Sequence, residues 1–225
     1  MRTRSSGNWR RAPGGWDALH TSRIYSGARD YLGIPELQPQ PTDWLLPCRP
    51  CLRPYRHRSP EGAIGHFFLD DYRFESVWRA PRKSLRHVRR FDAVLTPDFS
   101  MLVHWPPALQ IYNVYRNRWM GRYWQEAGLA VIPTVCWSTP ESYRVAFAGI
   151  PPRQVVALAV PDVRSEAVKA RFLDGYLAML DALVPRQVLV YGRLPDEVAD
   201  NAVPTVEVPP AWIGLRQRVG AACDG

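Results

Sequence analysis

The chain has 225 residues, and 46% of them are hydrophobic, so it is long enough for one α/β domain with a full core plus an extension, and it is not disordered as a whole. No apolar run reaches the length that spans a bilayer and no signal-peptide pattern opens the chain, so we expect a cytoplasmic protein without a membrane partner. The formal net charge of +8 comes almost entirely from arginine, which favours an anionic partner, although a GC-rich genome is an alternative explanation.

Residues 1–64 are predicted to form an irregular N-terminal arm rich in arginine, proline and tryptophan. The arm contains Cys48 and Cys51, whose Cys-x-x-Cys spacing is that of half a zinc site, with His57 as a candidate third ligand. No second such pair and no His-x-x-x-His pair accompanies it, and Pro50 within the motif suits a turn equally well. Zinc is therefore the one cofactor that the sequence suggests, and a structural turn is favoured over a metal site.

Residues 65–208 alternate between strand and helix patterns, which predicts one α/β domain followed by a C-terminal tail at 209–225. We expect a largely parallel sheet of five or six strands with flanking helices, because residues 91–137 form a βαβ unit. A complete eight-stranded barrel typically needs ~250 residues, so an open sheet or an incomplete barrel is expected. The predicted strands lie within residues 65–74, 92–96, 130–135, 154–160, 187–191 and 203–208. The predicted helices lie within residues 75–90, 106–127, 139–149, 165–183 and 195–199.

The long helix at residues 106–127 is dense in aromatic, arginine and asparagine side chains. Its aromatic residues recur at helical spacing and are expected to face the sheet. Arg118 and Arg122 follow on another face, where they either contact nucleic acid or are simply solvated. Arg116 and Asn113 lie beside the aromatic stripe. Because a buried guanidinium needs an acidic partner, we expect Arg116 to reach the acids at the ends of the strands.

Polar or aromatic side chains follow each predicted strand. If the strands are parallel, these side chains meet at one rim of the sheet, where open α/β sheets and barrels bind ligands. Asp and Ser are also ordinary turn and cap residues, but Asp98 lies well before the next helix. The candidate catalytic residues are Asp70, Asp71, Asp98 and Tyr191. The candidate orienting residues are Arg116, Asn113 and Trp137.

Clustered basic residues predict a second functional surface, because grouped arginine side chains neutralise phosphates. The candidate nucleic-acid-binding residues are Arg82, Lys83, Arg86, Arg89, Arg90, Arg118 and Arg122. The glycine-rich, nucleophile-elbow and His-Glu-x-x-His motifs are absent from the sequence, which argues against a P-loop NTPase, a Rossmann dehydrogenase and an α/β-hydrolase.

Several long motifs carry a resemblance to a known family. The segments TPDFS, PALQIYNVYRNRWMGRYWQ, VIPTVCW and VLVYG occur in that order, preceded by HFFLDDYRFESVW. Together they resemble the phage and bacterial family known as domain of unknown function 4417, over residues 65–208. The resemblance implies an association with phages and mobile elements and implies no particular reaction.

Three functions remain open at this stage. The first is an accessory protein of a phage or mobile element that binds nucleic acid or a nucleoprotein through a basic, aromatic-rich surface. The second is an enzyme with a carboxylate-lined pocket at the strand ends, acting on a sugar, nucleoside or phosphate compound. The third is a regulator that binds an acidic protein partner, such as a recombinase or a replication protein.

Overall fold

The computed structural model describes residues 17–25, 27, 31–41 and 51–210. Its strands are β1 (Leu52–Pro54), β2 (Ile64–His66), β3 (Ala93–Leu95), β4 (Val131–Ile132), β5 (Val155–Ala159), β6 (Gln187–Tyr191) and β7 (Thr205–Val208). Its helices are α1 (Asp71–Arg79), α2 (Pro81–Val88), α3 (Pro107–Glu126), α4 (Tyr143–Ala146), α5 (Glu166–Leu183) and α6 (Asp196–Ala199), with a short 3-10 turn at Pro140–Ser142 before α4. From β3 onward strands and helices alternate, as the sequence pattern predicts.

Every pair of neighbouring strands is parallel, and the strands are ordered as they occur in the chain. Strands β1 to β4 form one ladder and β5 to β7 form another. A parallel bridge between Thr134 and Ala157 joins the two ladders. At that bridge the amide of Val135 donates to the carbonyl of Ala157 over 2.8 Å. The predicted parallel pairing of β3 with β4 is therefore confirmed.

The sheet is strongly curved, as in an incomplete barrel. Each of the seven strands contributes apolar side chains to one inner cluster, for example Leu52 from β1, Leu95 from β3 and Val206 from β7. In a flat sheet β2 and β6 would be four strand spacings, or roughly 19 Å, apart. Instead the rings of His66 and Tyr191, at the ends of these two strands, lie with centroids 5.0 Å apart. The described strands show no pairing of β1 with β7, so the barrel is open on that side.

Helix α3 begins at Pro107, where proline is tolerated in the first turn, and ends before Gly128, whose φ of 82° lets the chain close the helix. The segment 31–41 packs against this helix, because a Cβ at Gly121 would lie 2.8 Å from Leu37, and the Gln38 amide donates to Gln125 over 2.8 Å. Trp119 and Trp124 are buried in one cluster with side chains of α1 and β3 and with Phe67 after β2, whereas Leu109 is exposed. The helix is therefore buried on nearly every side rather than along one stripe.

Two elements differ from the sequence-based expectation. The sheet has seven strands rather than five or six, because Leu52–Pro54 pairs in parallel with β2. The strand expected within residues 65–74 is only three residues long and starts at Ile64, since Asp71 opens α1 directly after a short loop. All seven short strands contribute side chains to the inner cluster, and β2 and β3 are buried throughout, whereas the edge strands β1 and β7 are partly exposed.

Candidate functional site

A cavity of about 270 Å³ opens at the carboxyl ends of β3, β4 and β5. The loop after β3, the segment after β4, the end of β5 and one face of α5 form its walls. Its lining residues are Asp98, Met101, Leu102, Val103, Val135, Cys136, Trp137, Ala159, Pro161, Val168, Arg171 and Phe172. Most of this surface is apolar, and Asp98 and Arg171 are its two charged side chains. The predicted ligand-binding rim therefore does carry a cavity.

Asp98 and Asp71 come close together beside this cavity. Burial, and secondarily the charge of Asp71, raise the pKa of the Asp98 carboxyl to about 7. Within the described ranges Asp98 accepts no hydrogen bond that would offset this effect. Asp71 instead accepts hydrogen bonds from Ser100 of the loop after β3. The Ser100 hydroxyl donates to its carboxylate over 2.9 Å, and the Ser100 amide donates over 3.1 Å. The two carboxyls therefore differ in role, with Asp71 fixing the loop and Asp98 facing the cavity.

Two further cavity residues have constrained side chains. Burial and the nearby Asp98 carboxylate raise the pKa of the Cys136 thiol far above its ordinary value, so Cys136 stays protonated at neutral pH and is no thiolate nucleophile. The Trp137 indole lies directly against α5 at Gly175. A Cβ at Gly175 would lie 2.0 Å from the indole nitrogen, so only glycine leaves room for this ring.

Arg116 is buried, as expected, but its carboxylate partner is not a strand-end acid. It donates to Glu75 of α1 over 2.8 Å and to the side-chain oxygen of Asn113 over 2.6 Å. Asn113 in turn donates to the carbonyl of Ser100 over 2.7 Å. The guanidinium also lies 3.8 Å from the ring centre of Phe99. Arg116 and Asn113 therefore position the loop that carries Asp98, and the predicted contact of Arg116 with the strand-end acids is wrong.

The four candidate catalytic residues do not form one cluster. Asp70 is exposed at the start of α1 and is not among the residues that line the cavity. Tyr191 packs inside the mouth of the barrel against Phe68, with ring centroids 4.9 Å apart, and is also not a lining residue. Its other neighbour is His66, with ring centroids 5.0 Å apart. Burial lowers the pKa of His66 to about 4, so this imidazole is neutral.

Arg118 is a correction to the predicted nucleic-acid contacts, because it is only 2% exposed. Its guanidinium donates to the carbonyls of Ala146 (2.7 Å), Ala148 (2.9 Å) and Thr134 (3.1 Å) and to the Asn117 side chain. Burial lowers the pKa of Arg118 to about 9. The side chain therefore ties α3 to β4 and α4 and is not available to a large ligand.

Arg122 is also an unsuitable surface contact. It lies 3.9 Å from Glu126, its side chain is 19% exposed, and one of its terminal nitrogens is buried without a hydrogen-bond partner among the described residues. An arginine can neutralise a phosphate of a nucleic acid only when the terminal nitrogens of its guanidinium are exposed. Of the predicted nucleic-acid contacts, the structure therefore leaves exposed the basic residues in α2 and directly after it.

Helix α2 presents a basic face, defined here as Arg82, Lys83, Arg86 and Arg89. All four side chains are exposed, and within the described ranges none of them forms an ion pair. The same four residues line a shallow depression whose other walls are Leu85 and Tyr123. Arg90 differs, because it lies 3.3 Å from Glu61 and also donates to the carbonyl of Arg58.

The zinc hypothesis falls partly outside the described residues, since Cys48 is not among them. Cys51 is an exposed free thiol, and the ring of His57 is engaged with the backbone of Ser59. Within residues 17–25, 27, 31–41 and 51–210, no three His, Cys, Asp or Glu side chains are grouped as metal ligands. In the same part of the chain, no helix is both long and apolar enough to cross a bilayer.

Comparisons with other proteins relate this chain to one protein family and to two phage proteins. The family model described as domain of unknown function 4417 matches residues 28–208. The chain is 40% identical to the Gene 1 protein of Mycobacterium phage L5, covering 99% of this chain and 97% of the phage protein. It is also 40% identical to the Gene 1 protein of Mycobacterium phage D29, covering 98% of this chain and 82% of that protein. No solved structure matches significantly.

Proposed function

Because the chain belongs to the family known as domain of unknown function 4417, with relatives in two mycobacteriophages, we propose that it is a phage accessory protein that binds nucleic acid through the α2 basic face. The observation that carries this proposal is the set of four adjacent, exposed cationic side chains without acidic partners among the described residues. A cation that already pairs with an acid adds little binding free energy when it contacts a phosphate. An unpaired cation neutralises the phosphate and releases counterions from the nucleic acid, which favours binding.

The shape of this region also suits a nucleic-acid backbone. The α2 basic face lines a depression of about 340 Å³, and Tyr123 of α3 forms part of its wall. Further exposed arginines, Arg56 and Arg58, lie on the adjoining segment after β1, and Arg56 donates to the Ser76 hydroxyl of α1 over 2.9 Å. A polymer that carries a phosphate at each step gains more from such an extended surface than a small anion does.

The test is a binding titration by fluorescence anisotropy with labelled duplex DNA, single-stranded DNA and RNA. If each of the four cations meets one phosphate, affinity falls about 100-fold between about 50 and 200 mM salt. Replacing Arg82, Lys83, Arg86 and Arg89 together with glutamine removes most of the binding and flattens the salt dependence. A control that replaces exposed Arg144, Arg153, Arg164 and Arg193 makes the same change in net charge away from α2.

Binding that disappears equally in both quadruple variants reflects net charge alone and contradicts the proposal. A wild-type protein that fails to bind any of the three nucleic acids at low salt also contradicts it. In that case the α2 basic face is left to an acidic protein partner, such as a recombinase or replication protein, which co-purification from infected cells would reveal.

An enzyme is a second candidate function, and Asp98 is the observation that favours it. A carboxyl with a pKa of about 7 in a largely apolar cavity is half ionised at neutral pH, which is the condition in which one group both accepts and donates protons well. The substrate classes that fit are a sugar, a nucleoside or a phosphate compound. An activity that survives replacement of Asp98 by asparagine would remove this candidate.

A further inference from the structure

The cavity at the ends of β3, β4 and β5 combines apolar walls with two opposite charges. Met101, Val135 and Phe172 are among its apolar lining residues, whereas Asp98 comes from the loop after β3 and Arg171 from α5. Among the described residues Arg171 forms no ion pair, and its guanidinium donates one hydrogen bond, to the carbonyl of Ala167 over 3.4 Å. The cavity therefore offers an acceptor of N–H groups and a cation to the same occupant.

The size of the cavity limits that occupant to one small molecule. Small-molecule pockets typically measure about 300 to 1,000 Å³, so a volume of about 270 Å³ lies just below this range. Leu102 and Val103 are 43% and 48% exposed, although they line the cavity. An apolar or aromatic ligand that enters the cavity would remove the surface of these side chains from water, and this burial favours binding.

We propose that this cavity binds a guanine nucleotide, with the base donating hydrogen bonds to Asp98 and the phosphate approaching Arg171. An ionised carboxylate only accepts hydrogen bonds. Guanine has two adjacent donors, a ring N–H and an exocyclic amine, whose spacing matches the two oxygens of one carboxylate. Adenine and cytosine pair a donor with an acceptor on the corresponding edge, and uracil places an acceptor on either side of its single ring N–H.

Other small ligands fit these contacts less well. A bound cation would use both carboxylates, but Asp71 already accepts hydrogen bonds from the amide and hydroxyl of Ser100. A simple organic amine would satisfy Asp98 and leave the Arg171 guanidinium without a counter-charge. A simple anion such as phosphate would do the reverse. A nucleotide supplies the donor, the flat apolar body and the anion in one molecule.

This inference is independent of the α2 basic face, and it narrows the second candidate function to one ligand class. The test is isothermal titration calorimetry of the full-length protein at pH 8, where Asp98 is ionised. The probes are the 5′-monophosphates of guanosine, inosine, adenosine and uridine, with guanosine itself and inorganic phosphate. We expect guanosine monophosphate to bind at one site, and inosine monophosphate, which lacks the exocyclic amine, to bind about tenfold more weakly.

The two ends of the ligand are separated by two substitutions. Asp98→Asn should weaken guanosine monophosphate and guanosine alike by about tenfold or more, because the amide presents a donor where the base requires an acceptor. Arg171→Gln should weaken the monophosphate and leave guanosine unchanged. Asp181→Asn and Arg153→Gln remove the same charges from exposed positions outside the cavity and should change neither affinity.

A blocking variant keeps the test decisive if Asp98→Asn does not fold. Val103→Trp places a large ring at an exposed lining position, so it should fill the opening without disturbing the core. Guanosine monophosphate that does not bind to the wild type at millimolar concentration overturns the proposal. Equal affinity for uridine monophosphate, or unchanged affinity in Val103→Trp or in a folded Asp98→Asn variant, overturns it as well. None of these outcomes bears on nucleic-acid binding by α2.

Discussion

Replacing Asp98 with asparagine should stabilise the folded protein, and the gain should depend on pH. Asp98 has a pKa of about 7 in the folded protein against a reference value of 3.8. Well below pH 3.8 the carboxyl is protonated in both the folded and unfolded states, so it has no effect on the free energy of unfolding. As pH rises from about 4 to about 7, the unfolded chain loses the proton while the folded chain retains it. The free energy of unfolding therefore falls progressively over this interval, and the full loss is present above pH 7.

The size of this penalty follows from the difference between the two pKa values. A shift of about 3 pKa units corresponds to about 4 kcal/mol at 1.36 kcal/mol per unit, and partial solvent access to the carboxyl reduces this to about 2–4 kcal/mol. Asparagine has nearly the same shape and no charge, so it removes the penalty. The charged or titratable groups that interact with Asp98 are Asp71 on α1 and Cys136 after β4, and Arg171 on α5 lines the same cavity.

The assay is urea unfolding of the wild type and Asp98→Asn at pH 4, 5.5 and 8. We expect the two proteins to have similar unfolding free energies at pH 4 and the variant to be more stable by about 2–4 kcal/mol at pH 8. His66, whose pKa is lowered to about 4, also titrates in this interval, but it is present in both proteins and cancels in the difference. A variant that is less stable at pH 8, or a difference that does not change with pH, would refute this account of Asp98.

Two further predictions concern residues that hold the site in place. Arg118→Met should lower the free energy of unfolding, measured in urea, by about 3–5 kcal/mol, because the carbonyls of Ala146, Ala148 and Thr134 stay buried without their donor. A variant as stable as the wild type would show that the desolvation cost of the guanidinium equals the free energy of its hydrogen bonds. Gly175→Ala should destabilise by about 1–3 kcal/mol although alanine favours helices, because the new methyl group displaces the Trp137 indole; the loss should be smaller when Trp137 is first replaced by leucine.

Hydrophobic patterning was sufficient for the order and direction of the strands. The βαβ unit at residues 91–137 requires a crossover helix between parallel strands, and the structure has α3 between β3 and β4 as expected. The rim at the strand ends follows from the same reasoning, because parallel strands end on one side, and Asp98 indeed lines a cavity there. The first strand was missed because three residues, one of them proline, give no detectable alternation.

The partners of individual side chains could not be predicted in the same way. Arg116 pairs with Glu75, which lies on α1 rather than at the end of a strand, so the pattern of acids at the strand ends does not predict this partner. Arg118 has the spacing of a solvated helix face with Arg122, and only the carbonyls around α4 make it a buried side chain. A signal did exist in α3, because aromatic and apolar residues occur all around the helix, and such a helix is covered on all sides.

The loop that carries Asp98 connects the fold to the proposed chemistry. Two side chains hold this loop at Ser100. Asp71 accepts a hydrogen bond from the Ser100 hydroxyl, and Asn113 donates one to the Ser100 carbonyl. Asn113 is itself fixed by Arg116, whose charge is balanced by Glu75. Among the described residues, this network leaves the Asp98 carboxyl without a hydrogen bond, and burial with the nearby Asp71 raises its pKa to about 7. An asparagine at this position would avoid the resulting cost to stability, so an acid at the edge of a largely apolar cavity supports the proposal that the cavity binds a ligand.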